Sequence, residues 1–180
     1  MARNQVHVGL IADTHGLLRP EAMEALRGSD YLVHAGDIGD PQILKALAEI
    51  APVTAVRGNN DQGTWAALLH TTEVLQIGET LVYVIHDLAD LDLDPGVAGF
   101  RAVVSGHSHR PGCESRHGVL FVNPGSAGPR RFRLPVCVGR LIVSAVGVEA
   151  RLVELPVTAT VTATAATARH RRRAVRRASL

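Results

Sequence analysis

Residues 6–16 have the sequence VHVGLIADTHG, in which an apolar run ends in residues that can bind a metal ion. The run Val6–Ala12 has the length and the β-branched content of a buried strand. Asp13 and His15 follow it directly, and alternate side chains of a strand share one face. If extended geometry continues past Ala12, these two side chains point the same way and can hold one ion between them. The fold prediction starts from this strand and its polar end.

Two further apolar runs have the same polar ending, because one leads to Asp37 and the other to Asn59. Short helices that begin with proline are predicted between the strands, since proline suits the first position of a helix. The predicted order is strand Val6–Ala12, helix Pro20–Leu26, strand Tyr31–Ala35, helix Pro41–Glu49 and strand Val53–Val56. This βαβαβ pattern predicts a parallel sheet with right-handed crossovers. Ligands bind beyond the carboxyl ends of such strands, so Asp13, Asp37 and Asn59 are expected to converge.

The second half of the chain is predicted to contain strands without intervening helices. They are expected at Glu73–Ile77, Thr80–Ile85, Ala102–Ser105, Cys113–Arg116, Val119–Val122, Val136–Ser144 and Val148–Leu155. The first two flank Gly78 and predict a hairpin. A second, largely antiparallel sheet follows from this pattern. The predicted fold class is α/β, as a four-layer α/β/β/α sandwich of two mixed sheets flanked by helices.

Charge is distributed unevenly along the 180 residues. The formal net charge is +2, yet residues 1–168 hold 13 basic against 17 acidic residues, a net charge of −4, and residues 169–180 hold six Arg and no acid. Residues 157–168 are almost entirely Thr, Ala and Val. We therefore predict one domain at 1–156 and a low-complexity, Arg-rich tail at 157–180. A solvated, disordered terminus is the favoured interpretation of the tail, and binding to nucleic acid or another anionic surface is the alternative.

Neither a membrane segment nor a signal peptide is expected. The longest apolar stretches, such as Thr80–Ile85 and Leu141–Val148, are far shorter than the roughly 20 residues that span a bilayer. The start of the chain lacks the basic-then-apolar pattern and the cleavage site of a signal peptide. A cytoplasmic location is predicted, and the sequence does not indicate an oligomeric state.

Seven residues of metal-binding type follow five apolar runs: Asp13, His15, Asp37, Asn59, His86, His107 and His109. Two ions that share one carboxylate need about seven protein ligands, so this number suggests a dinuclear site. Imidazole, carboxylate and amide donors suit Mn²⁺, Fe or Zn²⁺. Mn²⁺ is the expected ion, with Fe, Zn²⁺ or Ni²⁺ as alternatives. Taken singly, Asp37 could cap a helix and Asn59 could form a turn, but the joint order of all seven favours the metal site.

The order of these motifs resembles that of the calcineurin-like metallophosphoesterases, and most closely their small YfcE-type phosphodiesterase branch. The motifs are Asp13-Thr14-His15, Gly36-Asp37, Gly58-Asn59-Asn60-Asp61, His86 and Gly106-His107-Ser108-His109. The resemblance covers roughly residues 5–155 and implies the same sandwich fold. It also implies two sets of ligands joined by a bridging Asp37. One ion is then held by Asp13, His15 and His109, and the other by Asn59, His86 and His107.

The resemblance implies hydrolysis of a small phosphate ester, by a phosphodiesterase or phosphatase. Two ions about 3.5–4 Å apart would lower the pKa of a bridging water, and the resulting hydroxide would attack phosphorus in line. Asp37 and Asn59 are the predicted catalytic residues, together with Asp61. Members of the family with strong leaving-group protonation carry His directly after the asparagine. The small phosphodiesterase branch lacks it, and this chain has Asn60, whose amide cannot deliver a proton. Either Asp61, a remote group or water protonates the leaving group, or the enzyme prefers esters whose leaving group needs little help.

Substrate contacts are predicted at Asn60 and at Ser126. Ser126 belongs to a segment, Asn123-Pro124-Gly125-Ser126, that resembles a loop near the site in the family, although a plain Pro-Gly turn is the alternative. The neighbouring Arg130, Arg131 and Arg133 could bind a substrate phosphate or form a solvated edge.

Two other functions remain as alternatives to the enzyme. A eukaryotic trafficking scaffold subunit shares this fold and has lost hydrolysis, so the chain could be a binding module. A nuclease that holds nucleic acid with its basic tail is the other alternative. The complete set of ligands favours the enzyme, with a small phosphate ester as the expected partner.

Overall fold

The computed structural model describes residues 5–131 and 133–156, so the predicted tail at 157–180 lies outside the described residues. The strands of this part are β1 Gln5–Ile11, β2 Tyr31–His34, β3 Val53–Ala55, β4 Thr72–Ile77, β5 Thr80–Ile85, β6 Phe100–Val104, β7 Gly112–Arg116, β8 Val119–Asn123, β9 Cys137–Ser144 and β10 Gly147–Glu154. The helices are α1 Pro20–Leu26 and α2 Pro41–Ala48, with short 3₁₀ helices at Ala66–Leu68 and Leu88–Asp90. Within the described residues, no helix is long and apolar enough to cross a bilayer.

The first sheet has the strand order β10-β9-β1-β2-β3. Strands β1, β2 and β3 pair in parallel, as the βαβαβ pattern predicted. Strands β9 and β10 join the other side of β1 as antiparallel neighbours. Their predicted place in the second sheet was therefore wrong. Strand β9 is buried on both faces, with Val138 against the helices and Leu141 in the core between the sheets, and the position beside β1 covers both of these faces.

The second sheet has the order β4-β5-β6-β8-β7. The predicted hairpin is present, because β4 and β5 pair antiparallel, as do β7 and β8. The expectation of a largely antiparallel sheet was wrong, since β5, β6 and β8 are parallel to one another. Parallel neighbours need crossover connections, and residues 86–99 supply one without an α-helix.

Three layers of apolar side chains hold the sheets and helices together. Val8, Leu10 and Val33 of the first sheet meet Val82, Val84 and Val104 of the second. Helices α1 and α2 pack Leu26 and Leu47 against the other face of the first sheet. On the outer face of the second sheet, Leu88, Leu91 and Leu93 cover Tyr83 and Ile85. The predicted α/β sandwich is confirmed, with a loop and a 3₁₀ turn as the cover over its second sheet.

The loops after β1 and β2 continue the hydrogen bonding of the parallel strands. The Asp13 N–H donates to the Gly36 carbonyl (3.0 Å), and the His15 N–H donates to the Asp37 carbonyl (2.9 Å). In the second sheet, the Gly106 N–H donates to the His86 carbonyl (2.9 Å) and so joins the loops after β6 and β5. These bonds align the polar ends of both sheets at one end of the molecule.

Gly128 allows the loop after β8 to pass directly over the loop after β1. A Cβ at this position would lie 2.3 Å from the Thr14 carbonyl oxygen and 2.6 Å from the Asp13 carbonyl oxygen. These are main-chain atoms and cannot rotate away. We therefore expect Gly128→Ala to lower the free energy of unfolding by about 1–3 kcal/mol, as measured by urea denaturation.

Gly112→Ala is the matched control, because a Cβ at Gly112 meets no atom within 4 Å. Its expected effect is below about 0.5 kcal/mol. Equal stabilities for the two variants would show that the contact at Gly128 does not constrain the fold.

Candidate metal centre

The predicted ligands lie in loops whose backbone is unusual for residues other than glycine. Five of the seven have positive φ: Asp13 (53°), His15 (46°), Asp37 (55°), His107 (64°) and His109 (57°). Each such residue costs on the order of 1–3 kcal/mol of strain. The expectation that extended geometry aligns Asp13 with His15 was therefore wrong. Left-handed turns bring these two side chains together, and the loop hydrogen bonds hold those turns.

Asp13, His15 and His109 form a first group of donors. The Nε2 atoms of His15 and His109 are 3.2 Å apart, and their rings stack with centroids 5.1 Å apart. Asp13 Oδ1 lies 3.5 Å from His109 Nε2 and 4.0 Å from His15 Nε2. Three atoms that offer lone pairs thus face one point, and their mutual separations suit a metal ion.

Asn59, His86 and His107 form a second group. Asn59 Oδ1 is 3.0 Å from His86 Nε2 and 3.0 Å from His107 Nδ1. The other ring nitrogen of His86, Nδ1, lies 2.7 Å from the Ala35 carbonyl oxygen and donates to it. When the ring is neutral and its proton is on Nδ1, His86 Nε2 presents a lone pair to Asn59 Oδ1, which is also an acceptor. A cation bound by both atoms would satisfy them.

Asp37 lies between the two groups and is 2% exposed. Its Oδ2 is 3.7 Å from His15 Nε2, and its Oδ1 is 3.5 Å from His86 Nε2. The Asn60 main-chain N–H donates to Oδ1 (2.8 Å), and the Asn60 side-chain amide donates to Oδ2 (2.6 Å). Burial raises the pKa of Asp37, but the interaction with the neighbouring His86 and the two hydrogen bonds from Asn60 outweigh it and keep that pKa below its usual range. Asp37 therefore carries a negative charge between the two groups.

Asp13 is fully buried, and neither of its carboxylate oxygens has a hydrogen-bond partner among the described residues. Burial raises the pKa of Asp13 to about 7. Burial also lowers the pKa of His109 to about 4, with the charge of Arg131 as the next cause. Buried polar atoms are almost always paired in native proteins. Unpaired carboxylate oxygens beside neutral imidazoles fit a divalent metal ion as the missing partner.

Three other predicted residues support the loops of the site. Asp61 accepts the N–H groups of Gly39 and Gly58, one on each oxygen and both at 2.8 Å. Asn60 donates to Asp37 as described above, and the Ser126 hydroxyl donates to the Asp13 carbonyl (2.9 Å). The predicted roles of Asp61 as an acid and of Asn60 and Ser126 as substrate contacts stay predictions. Sequence spacing placed these residues near the site but could not show which main-chain groups they hold.

Sequence reasoning missed a buried pair behind the ligands. The Thr14 hydroxyl donates to the Ile38 carbonyl (2.9 Å), so it accepts the hydrogen bond from His34 Nε2 (2.9 Å). His34 is fully buried, and burial lowers its pKa to about 3. The neutral imidazole thereby fixes the loop between Asp13 and His15. A histidine within an apolar strand, next to the Gly36-Asp37 motif, was the available signal.

Arg131 is the cation whose charge acts on the ligands, since it contributes to the pKa values of Asp13, His15 and His109. Arg130 instead donates to the Leu134 carbonyl (3.2 Å). Of the three arginines considered from the sequence, Arg131 is therefore the exposed cation placed to meet an anion at the site.

Comparison with known proteins gives consistent results. Residues 6–145 match the sequence model of the calcineurin-like phosphoesterase superfamily domain. A protein of Methanocaldococcus jannaschii named "Probable metallophosphoesterase" is 33% identical over 132 residues, which cover 66% of this chain and 67% of that protein.

Solved structures with the same fold are more distant in sequence. An archaeal phosphodiesterase superposes with a TM-score of 0.70 at 21% identity, covering 83% of this chain and 100% of that one. The phosphoesterase YfcE of E. coli gives 0.61 at 22% identity, with 83% and 100% covered. Wild-type Vps29 of Entamoeba histolytica, in complex with Zn²⁺, gives 0.62 at 20% identity, with 83% and 99% covered.

The structural neighbours agree in fold, and the matched segment, residues 6–145, contains every member of the two donor groups and Asp37. This match extends over more than half of the chain. The chain therefore belongs to the calcineurin-like phosphoesterase superfamily.

Proposed function

We propose that the protein is a phosphodiesterase that uses two divalent metal ions bridged by Asp37. The observation that carries this proposal is the position of the Asp37 carboxylate, whose two oxygens face different donor groups. Membership of a metal-dependent family supports phosphoester hydrolysis in general. The number of ions, the in-line course and the preference for diesters are parts of the proposal.

Each ion has a separate set of protein donors in this proposal. Asp13, His15 and His109 hold the first, and Asn59, His86 and His107 hold the second. Nitrogen and oxygen donors in these proportions favour Mn²⁺, with Fe, Zn²⁺ or Ni²⁺ as alternatives. When bound, the two ions supply a water of lowered pKa and neutralise charge on the phosphoryl oxygens.

The residues of the chain position the reactants. Asn60 fixes both oxygens of Asp37 through its two hydrogen bonds, and the Ala35 carbonyl fixes the ring of His86. Arg131 attracts the anionic substrate to the open side of the site. In the proposed reaction, water oxygen forms the new bond to phosphorus while the opposite ester bond breaks, with no covalent enzyme intermediate.

The site offers no evident side chain that is free to protonate the leaving group among the residues described above. The position that carries His in some members of the family holds Asn60, whose donors already serve Asp37. The carboxylate of Asp61 is bonded to two main-chain N–H groups. We therefore expect fast hydrolysis of esters whose alcohols leave without protonation, such as aryl diesters.

A metal-binding module without turnover is the second candidate function. The fold neighbour that favours it is Vps29, whose structure holds Zn²⁺. Metal binding alone does not separate these functions, so the measurement must be turnover. The nuclease alternative depends on residues 169–180, which lie outside the described residues, and it stays a prediction, as does the cytoplasmic location.

Removing the bridging charge should abolish most of the activity. We expect Asp37→Asn to lower kcat/KM for bis-p-nitrophenyl phosphate with Mn²⁺ by at least about 100-fold, because the loss of a shared anionic ligand is worth several kcal/mol at the transition state. The control is Asp40→Asn, since Asp40 caps α2 and Asn caps equally well. Wild-type protein that shows no metal-dependent hydrolysis would favour the binding module.

The stoichiometry of metal binding tests the dinuclear site directly. Anomalous diffraction from Mn²⁺-loaded crystals should show two peaks about 3.5–4 Å apart. In His107→Ala one peak should disappear, because His107 serves only the second group. His117→Ala is the control, since His117 is exposed and contributes to neither group. A single peak in the wild type, with full loading, would rule out the bridging role of Asp37.

A third variant tests whether Asp61 only holds the loops through Gly39 and Gly58 or also transfers a proton. In Asp61→Asn an amide NH₂ faces one of the two N–H donors, so we expect the free energy of unfolding to fall by about 1–3 kcal/mol. Hydrolysis of p-nitrophenyl and phenyl diesters should slow by the same factor. Selective slowing of the phenyl ester, the poorer leaving group, would instead identify Asp61 as the acid.

A further inference from the structure

A cavity of about 540 Å³ adjoins the second group of donors. Asn59, His86 and His107 line one side of it, and from there it extends over the outer face of the second sheet. Its volume lies in the range of small-molecule sites. A larger cavity of about 910 Å³, lined by residues such as Ile77 and Val146, includes none of the donors. The smaller cavity is therefore the one placed to receive part of a substrate.

Tyr83 and Ile85 contribute the apolar lining of this cavity. Tyr83 is 7% exposed, and its hydroxyl makes no hydrogen bond with any residue that the structure describes. The hydroxyl oxygen itself is not fully buried, so a group in the cavity can reach it. Because Tyr83 lines the cavity, a polar group of a ligand is a suitable partner for this hydroxyl.

The polar lining of the cavity is predominantly acidic. Asp87, Asp90 and Asp92 face a single cation, Arg57. Asp87 is engaged, since Oδ1 accepts the Ala89 N–H (3.0 Å) and Oδ2 lies 3.3 Å from His107 Nε2. The carboxylates of Asp90 and Asp92 form no hydrogen bond or ion pair with the described residues, so their acceptor capacity is available. A divalent ion held by Asn59, His86 and His107 would offset part of this charge, but the unpaired carboxylates of Asp90 and Asp92 still favour cationic over anionic groups.

We propose that the cavity binds one alcohol group of a phosphodiester and that this alcohol carries an ammonium group. The inference rests on the proposed function, because the phosphoryl group is held by the neighbouring metal donors. An ammonium group donates hydrogen bonds to the carboxylates of Asp90 and Asp92 and to the Tyr83 hydroxyl oxygen. An alcohol that carries a further phosphate or carboxylate would place that group against three aspartates.

Three p-nitrophenyl diesters that differ in the charge of the second alcohol test this selectivity in the Mn²⁺-loaded protein. Their second alcohols are 2-aminoethyl, propyl and 2-carboxyethyl groups, which present a cation, a neutral group and an anion. We expect kcat/KM for the aminoethyl ester to exceed that for the propyl ester by about tenfold or more, and the carboxyethyl ester to be slowest. The preference should weaken as salt is added, because Asp90 and Asp92 are exposed and salt screens exposed charges.

Two variants assign the preference to the cavity. In the double variant Asp90→Asn with Asp92→Asn, the ratio of aminoethyl to propyl activity should fall to within about threefold of unity. Tyr83→Phe should lower the ratio by a smaller factor, about threefold. Asp94→Asn is the matched control, because Asp94 lies two residues from Asp92 but does not line the cavity. Using a ratio removes any general effect of a variant on turnover.

The outcomes separate the two levels of the proposal. If the protein hydrolyses bis-p-nitrophenyl phosphate but uses the three esters equally, or prefers the carboxyethyl ester, the ammonium inference is wrong and the proposed function stands. An aminoethyl preference that persists in the double aspartate variant also overturns the role of this cavity. Failure to hydrolyse any ester, including bis-p-nitrophenyl phosphate, overturns the proposed function and this inference with it.

Discussion

The hydrogen bonds between the loops after β1 and β2 are the constraint on which the site depends. Asp13 and His15 donate their main-chain N–H groups to the carbonyls of Gly36 and Asp37, so the two loops advance together beyond the parallel strands. Each of these bonds fixes a residue whose φ would otherwise be unfavourable. The carboxylates of Asp13 and Asp37 thereby acquire fixed positions before any ligand binds. The cost of the strained backbone is offset by the packed sheets that carry the loops.

Close approach between the two sheets completes this arrangement. At Gly36, where φ is +87°, an added Cβ would lie 2.6 Å from Nδ1 of His86, so a larger residue would displace the ring from the second sheet. The sheets can therefore supply donors to one centre only because their ends almost touch. The same closeness places imidazole nitrogens 3.2 Å apart at His15 and His109. Cations that bind between such donors relieve their mutual repulsion, which links metal binding to the stability of this end of the fold.

Sequence reasoning predicted what depends on local pattern and missed what depends on distant partners. The apolar run Thr80–Ile85 predicted its strand to the residue, because period and composition are local properties. The sheet to which Cys137–Ser144 belongs could not be predicted this way, since β1 and β9 are more than 100 residues apart along the chain. The candidate ligands were found from their order after the strands. Their left-handed backbone was not, because tertiary hydrogen bonds impose a positive φ on Asp13 and His107, whereas local preference opposes it.

Asp61 shows how the same residue type can serve two unrelated needs. A carboxylate two positions after Asn59 has the chemistry of a proton donor, and the sequence left open whether Asp61, a remote group or water plays that role. In the structure two main-chain N–H groups, of Gly39 and Gly58, donate hydrogen bonds to its carboxylate. An ionised carboxylate satisfies both, whereas a protonated one would have to give up acceptor capacity to act as an acid. Holding the two loops and transferring a proton therefore require different protonation states of Asp61. In the proposed function, with Asp61 holding the loops, selectivity comes from the choice of alcohol, and the cavity beside Asn59, His86 and His107 is the place proposed for it.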